Sequence, residues 1–151
     1  MNDLIQLGRS EPLIEKSSRL VIAVHPYPFM YRTGDERSDW QKKMDGFFAS
    51  TEDPVISLIS TFVNDEDLGH IRNLQPAGPR YFIPTYNSYP EPFIGWGPFV
   101  SHLFEFQSNE HIIVGTYLGP ENTNCVGTTY KELLGRIQNV RIDENLVERI
   151  N

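Results

Sequence analysis

The sequence has little of what marks a disulfide-stapled, membrane-spanning or nucleic-acid-binding protein. Its single cysteine, Cys125, excludes an internal disulfide framework, and no apolar run approaches the length needed to cross a bilayer. The amino terminus lacks the basic segment and apolar core of a signal peptide, so we expect a cytoplasmic protein that does not bind membranes. The thirteen lysines and arginines are scattered through a chain of net charge -7, which argues against a nucleic-acid partner.

The chain does contain enough apolar residues for one globular domain. Of its 151 residues, 39% are apolar and 12% are aromatic. Residues 1–18 are mostly polar, and we expect an arm or a short helix there within a single domain spanning 1–151. Five of the eleven prolines lie between Pro76 and Pro92 and alternate with aromatic residues, which is typical of a long ordered loop.

Short apolar runs alternate with segments of helical periodicity along the chain. Runs rich in β-branched residues predict strands, and apolar residues spaced by three or four predict helices. The predicted strands are 19–25, 55–63, 81–85, 111–117 and 140–142, and the predicted helices are 40–48, 97–107, 126–137 and 144–150. This alternation predicts an α/β fold: a three-layer α/β/α domain with a mostly parallel, Rossmann-like, doubly wound sheet of about five strands.

The stretch 111–143 places the cysteine where a thiol can do chemistry. An apolar strand core ends at Gly115, a polar loop follows, and Cys125 falls in the first turn or the cap of the next predicted helix. Backbone amides and the positive end of the helix dipole favour a thiolate there. A lone cysteine is more often an inert buried residue, so position alone makes Cys125 a candidate nucleophile and no more.

The residues around this cysteine resemble those of a known family. The order of elements over residues 20–147 and the segment NTNCVGTTYKELLGR at 122–136 are similar to the isochorismatase-like cysteine hydrolases, which include nicotinamidases. Cys125 and Val126 match the family's Cys-Val pair, and the opening strand LVIAVHPYPF looks like the family's first strand. The remaining matches are Thr128 or Thr129 after the cysteine, and Tyr86 or Tyr89, Ser88 and Phe93 in the Tyr-Ser-x-Phe segment.

The resemblance implies a cysteine nucleophile with an aspartate base and an orienting lysine, and this chain departs from the pattern at both partners. Ala23 stands where the family has its aspartate, and Pro84 or Thr85 stands where it has its lysine. The loop before Cys125 is also about four residues longer than is usual, at the place where backbone amides form an oxyanion hole. The resemblance therefore supports the fold more strongly than the activity.

A histidine is the usual partner of a catalytic cysteine when no carboxylate is present. His25 closes the first predicted strand, which in a doubly wound sheet neighbours the strand that leads to Cys125, so a Cys125–His25 dyad is the catalytic hypothesis. The alternative is a histidine hydrogen-bonded in a loop. Asp65, Asp67 and His70 follow the second predicted strand, but their spacing is no ligand signature and is typical of an acidic solvated loop. We therefore expect neither a metal ion nor a cofactor.

Aromatic residues near the carboxyl edge of the predicted sheet provide candidate ligand contacts. Rigid aromatic side chains line ligand pockets and interfaces, although packing of a long loop explains part of the set. The candidate ligand-binding residues are Tyr27, Tyr86, Tyr89, Trp96 and Asn124.

Two functions remain open from the sequence. The first is a degenerate family member that binds a small molecule or a protein partner without hydrolysing it. The second is a divergent hydrolase of C–N or related bonds, with Cys125 as nucleophile, His25 as base and the amides of 124–126 as oxyanion donors. The missing aspartate and lysine favour the first, because a nucleophile without its base loses orders of magnitude in rate. We also expect a homodimer, because the chain is short for this family.

Overall fold

The strands that the structure describes form one sheet, and the pairings between them are parallel. The computed structural model describes residues 4–6, 18–26, 39–60, 80–85, 109–135 and 137–149. The strands are β1 (Leu4–Gln6), β2 (Arg19–Val24), β3 (Val55–Ser60), β4 (Arg80–Thr85), β5 (Glu110–Leu118) and β6 (Val140–Arg149), in the order β1-β4-β3-β2-β5-β6. Helix α1 (Asp39–Ser50) connects β2 to β3, and helix α2 (Asn124–Leu134) connects β5 to β6. The predicted α/β class with a parallel sheet is confirmed.

Strand β2 lies inside the sheet between β3 and β5, and its sequence is apolar on both faces for that reason. Leu20, Ile22 and Val24 point to one side, where they pack in a cluster with residues of α2. Val21 and Ala23 point to the other side and pack with residues of α1. All five side chains are buried, so β2 anchors both halves of the core.

The two helices pack on opposite faces of the sheet. Helix α1 buries the apolar residues whose spacing predicted it, because positions three or four apart share one helix face. Helix α2 does the same on the other side. Each fully buried large side chain of this kind contributes roughly 1.5–3 kcal/mol. The buried apolar residues are Trp40, Met44 and Phe48 on α1, and Val126 and Leu133 on α2.

The last strand is longer than the sequence predicts. The apolar spacing of 144–150 predicts a helix, but β6 runs to Arg149 and stays paired with β5, with register shifts that absorb extra residues. The Trp40 indole N–H donates to the Leu146 carbonyl oxygen at 3.1 Å, so α1 helps to hold this segment. The helix prediction for 144–150 is wrong because pairing with a neighbouring strand outweighs local spacing.

Two further predictions concern the amino-terminal arm and the helix at 97–107. Residues 4–6 of the predicted arm form β1, which pairs with β4. The helix predicted at 97–107 lies outside the described residues. Neither of the described helices is long and apolar enough to cross a membrane.

Candidate functional site

The chain order of the strands reverses between β2 and β5. From β2 the chain moves outward through β3 and β4 and then continues on the other side of β2 with β5 and β6. In open parallel sheets such a reversal leaves a crevice at the carboxyl ends of the strands. His25 directly follows β2, and Cys125 lies shortly after the end of β5. The prediction that these two strands are neighbours is confirmed.

The carboxyl ends of β2 and β5 approach each other closely at a glycine. Gly115 has φ 119°, and a Cβ there would overlap the carbonyl oxygen of Val24, so no other residue fits without displacing backbone. One residue further on, the Thr116 hydroxyl donates to the His25 carbonyl oxygen at 2.7 Å. The His25 amide donates to the Leu58 carbonyl oxygen at 2.9 Å. The backbone of His25 is therefore fastened to both neighbouring strands.

The imidazole of His25 is held in its neutral form. The residue adopts φ 42°, in the left-handed region that side-chain-bearing residues rarely enter. Burial lowers the pKa of His25 to about 4, since a charged imidazolium would lose its hydration there. At neutral pH the ring is thus uncharged, which is the form that can accept a proton.

A tight turn connects β5 to α2. The Gly119 amide donates to the Thr123 carbonyl oxygen at 3.1 Å, and the Thr123 hydroxyl donates to the Pro120 carbonyl oxygen at 2.8 Å. Asn122 and Asn124 have φ 58° and 64°, a conformation that asparagine tolerates better than most residues. These asparagines therefore allow the backbone to adopt the conformation that the turn requires.

The start of α2 is packed against that turn. A Cβ at Gly127 would overlap the backbone of Asn122, so the glycine after the Cys-Val pair allows the turn to rest on the helix. The side-chain amide of Asn124, one of the predicted ligand-binding residues, lies beside Gly119. This places Asn124 inside the turn that positions the cysteine.

Cys125 is partly exposed and packs against the apolar cluster that contains Val24 and Val126. Burial raises the pKa of its thiol above the ordinary value, while its own backbone amide acts in the opposite direction. The hydroxyl of Thr129 donates to the Cys125 carbonyl oxygen at 2.8 Å. Among the described residues, the buried hydroxyl of Thr128 has no hydrogen-bond partner. The backbone amide at the helix start thus stabilises the thiolate, but burial has the larger effect on the pKa of the thiol.

These two environments make a thiolate–imidazolium pair unfavourable. Burial lowers the pKa of His25 to about 4 and raises the pKa of the Cys125 thiol above its ordinary value. Moving the proton from sulfur to imidazole is therefore uphill, because burial disfavours the charged form of both groups. In the resting arrangement both groups are neutral.

Ala23 occupies the position that the resemblance assigns to the catalytic aspartate, and its side chain is fully buried. It packs on the α1 side of the sheet with Val21 and Met44. Cys125 packs on the α2 side against the cluster that contains Ile22 and Val24. Ala23 lies between these two residues and points to the opposite face, because successive residues of a strand alternate between faces. Position 23 therefore provides an apolar core contact and no base for the thiol.

The other predicted site residues lie outside the described part of the chain: Tyr27, Tyr86, Tyr89 and Trp96 among the ligand contacts, and Asp65, Asp67 and His70 in the acidic segment. Within the described ranges, no group of three or more His, Cys, Asp or Glu side chains is arranged to hold a metal ion.

Sequence reasoning missed a second group of polar residues at the opposite, amino edge of the sheet. Arg19, Glu110 and Arg141 lie at or next to the first residues of β2, β5 and β6, and Asp53 pairs with Arg19. The sequence signal for Arg19, Glu110 and Arg141 is a charged residue at or next to the amino end of a strand, which by itself looks like an ordinary strand boundary. Only the sheet order brings them together.

Comparison with known proteins identifies no relative of this chain. No protein-family model, no curated protein and no solved structure matches the chain. The two edges of the sheet are therefore the features of this chain from which a function can be inferred.

Proposed function

We propose that this chain is an isochorismatase-like α/β domain that has lost the family's hydrolase chemistry and binds a small molecule or a protein partner at the carboxyl edge of the sheet. The proposed architecture is a three-layer, doubly wound domain whose core sheet has about five strands, to which β1 of the amino-terminal arm is added. Helices on opposite faces of a parallel sheet support it. Tyr27, Tyr86, Tyr89 and Trp96 belong to the proposed binding surface, and a second copy of the chain is among the proposed partners.

The observation that carries the loss of hydrolysis is the buried, apolar environment of Ala23 together with the raised pKa of Cys125. A cysteine nucleophile requires either a nearby base or a lowered pKa. At position 23 an aspartate would be placed among apolar side chains of α1 and would gain a strongly unfavourable desolvation energy. The thiol remains protonated at neutral pH, and the carboxyl edge is left as a surface for binding.

A divergent cysteine hydrolase is the second candidate, and one observation favours it. His25 is neutral, follows β2 and is fastened to β5, the strand that leads to Cys125. In this alternative His25 accepts the thiol proton as Cys125 attacks a carbonyl carbon, and amides of 124–126 stabilise the oxyanion. The substrate complex would have to offset this unfavourable proton transfer from sulfur to imidazole.

The pH dependence of Cys125 alkylation separates the two candidates, because the chain has a single thiol. We expect iodoacetamide to react with an apparent thiol pKa at or above the ~8.5 of an unperturbed cysteine. The urea-unfolded chain provides the reference for the same thiol, and His25→Asn should give the same profile as the wild type. An apparent pKa well below that reference, which rises in His25→Asn, would overturn the proposal in favour of the hydrolase. Release of ammonia from nicotinamide that is lost in Cys125→Ser would do the same.

A further inference from the structure

Among the described side chains, four charged ones lie in strand order at the amino edge of β3, β2, β5 and β6. Asp53 precedes β3, Arg19 begins β2, Glu110 begins β5, and Arg141 is the second residue of β6. Because these strands are consecutive in the sheet, the charges alternate negative, positive, negative and positive along the edge. This edge lies at the opposite end of the strands from Cys125.

The four groups form two ion pairs that also influence each other. The Arg19 Nε donates to Asp53 Oδ2 at 2.6 Å, and the Arg141 Nε donates to Glu110 Oε1 at 2.7 Å. Arg19 and Glu110 are partners in the β2–β5 register. Each shifts the pKa of the other toward its charged form, although each is affected more by its own ion-pair partner. Arg19 and Glu110 therefore each favour the charged form of the other.

The same side chains line a cavity of about 670 Å³, which lies in the size range of sites for small molecules. One wall of the cavity is held in place by hydrogen bonds to backbone carbonyl oxygens. The Asn139 side-chain amide donates to the Asn109 carbonyl oxygen at 2.9 Å, and the Asn139 carbonyl oxygen accepts from the His111 amide at 2.8 Å. The buried ring of His111 is also within hydrogen-bond distance of the Gln138 carbonyl oxygen at 2.9 Å. A wall fixed before binding reduces the entropy lost when a ligand is ordered.

We infer that this cavity binds a small zwitterion, with its carboxylate on the guanidinium of Arg141 and its ammonium against the carboxylate of Glu110. A guanidinium has five N–H donors in a planar fork, so Arg141 can pair with Glu110 through Nε and still present donors to a second carboxylate. The four lining charges sum to zero, which gives no net attraction to a ligand of one sign. Asp143 also acts on Arg19 and makes the surroundings unfavourable for a simple anion.

The Arg141–Glu110 ion pair limits the ligand class. Its Nε and Oε1 atoms are 2.7 Å apart, so a ligand that contacts the remaining atoms of both groups needs its two opposite charges on one short chain. A short ω-amino acid such as 4-aminobutanoate has this arrangement. Butanoate and butylammonium carry one of the two charges each and are therefore matched controls.

Amide chemical-shift titration of the whole chain with 4-aminobutanoate tests the inference. We expect saturable shifts at Glu110 and Arg141 and none at Cys125, which makes the result independent of the function proposed for the carboxyl edge. Butanoate and butylammonium at the same ionic strength should each bind at least about fivefold more weakly, or roughly 1 kcal/mol. Arg141→Gln should weaken binding of 4-aminobutanoate about tenfold. Lys131→Gln, which removes an exposed cation on α2, should leave it unchanged.

Three results would overturn this inference: the absence of saturable shifts at the amino edge, equal affinity for a singly charged control, or unchanged affinity in Arg141→Gln. Circular dichroism checks that Arg141→Gln is folded, and the exposed position of Arg141 favours this. Arg141→Lys is a second variant that keeps the charge and loses the planar fork. It should bind with intermediate affinity, and binding as tight as that of the wild type would contradict the proposed carboxylate contact.

Discussion

Replacing His25 with asparagine tests whether the fold keeps this imidazole neutral. His25 follows β2 with φ 42°, and asparagine is among the few residues that adopt this region readily, so His25→Asn should preserve the backbone. The substitution removes a titratable group whose pKa burial lowers from 6.5 to about 4. The expected change is therefore in the pH dependence of stability more than in stability at neutral pH.

The sign of the effect follows from proton binding. Between pH 6.5 and about 4 the unfolded chain binds a proton at His25 and the folded chain does not, so the free energy of unfolding falls as the pH is lowered through this window. Below the folded-state pKa the loss is complete and levels off. The difference between 6.5 and about 4, at 1.36 kcal/mol per pKa unit, sets an upper limit of about 3.4 kcal/mol. That is a large part of the 5–15 kcal/mol typical of a domain.

Urea unfolding followed by circular dichroism between pH 7 and pH 4 measures this term. Burial also lowers the pKa of His111, so the wild type contains a second contribution of the same sign. The quantity to compare is therefore the difference between wild type and His25→Asn at each pH. We expect the wild type to lose up to about 3 kcal/mol more than the variant across the window. The same pH dependence in both proteins would refute the burial of a neutral His25.

Two matched pairs of substitutions test the packing described above, each by urea unfolding at neutral pH. Gly115→Ala should destabilise by about 3 kcal/mol or more, because its Cβ would overlap the Val24 carbonyl oxygen, whereas Gly46→Ala within α1 meets no neighbour and should stabilise by about 0.5–1 kcal/mol. Leu133→Ala should cost about 2–5 kcal/mol because the side chain is fully buried. Leu134→Ala, where the side chain is 53% exposed, should cost less than about 0.5 kcal/mol. Equal effects within either pair would contradict the assigned packing.

The sequence was a good guide to elements whose apolar pattern has one interpretation. The unbroken apolar run after Arg19 predicts a strand buried on both faces, and β2 is such a strand. The spacing of Trp40, Met44 and Phe48 predicts the helix that forms α1. It was a poor guide at 144–150, where apolar residues satisfy helical spacing but Val147, Glu148 and Arg149 pair with β5 through a shifted register.

The candidate site shows the same division. From the order of elements we expected Cys125 at the start of a helix after a buried strand, and His25 at the end of a neighbouring strand, and both expectations are confirmed. The charge states of the two groups could not be derived in that way. Burial depends on contacts between segments that are distant in sequence, and it lowers the pKa of His25 while raising that of Cys125.

By itself, the sequence determined the α/β class, the principal strands and helices, and the position of the single thiol, because hydrophobic periodicity and helix-start signals are local. Only the tertiary structure decided that Ala23 faces away from the cysteine cluster, that β6 continues to Arg149, and that four charged residues from separate segments line one cavity at the amino edge. These features depend on which strands become neighbours and in which register. Strand order and register are determined by contacts between residues far apart in the chain, and local sequence patterns do not predict them.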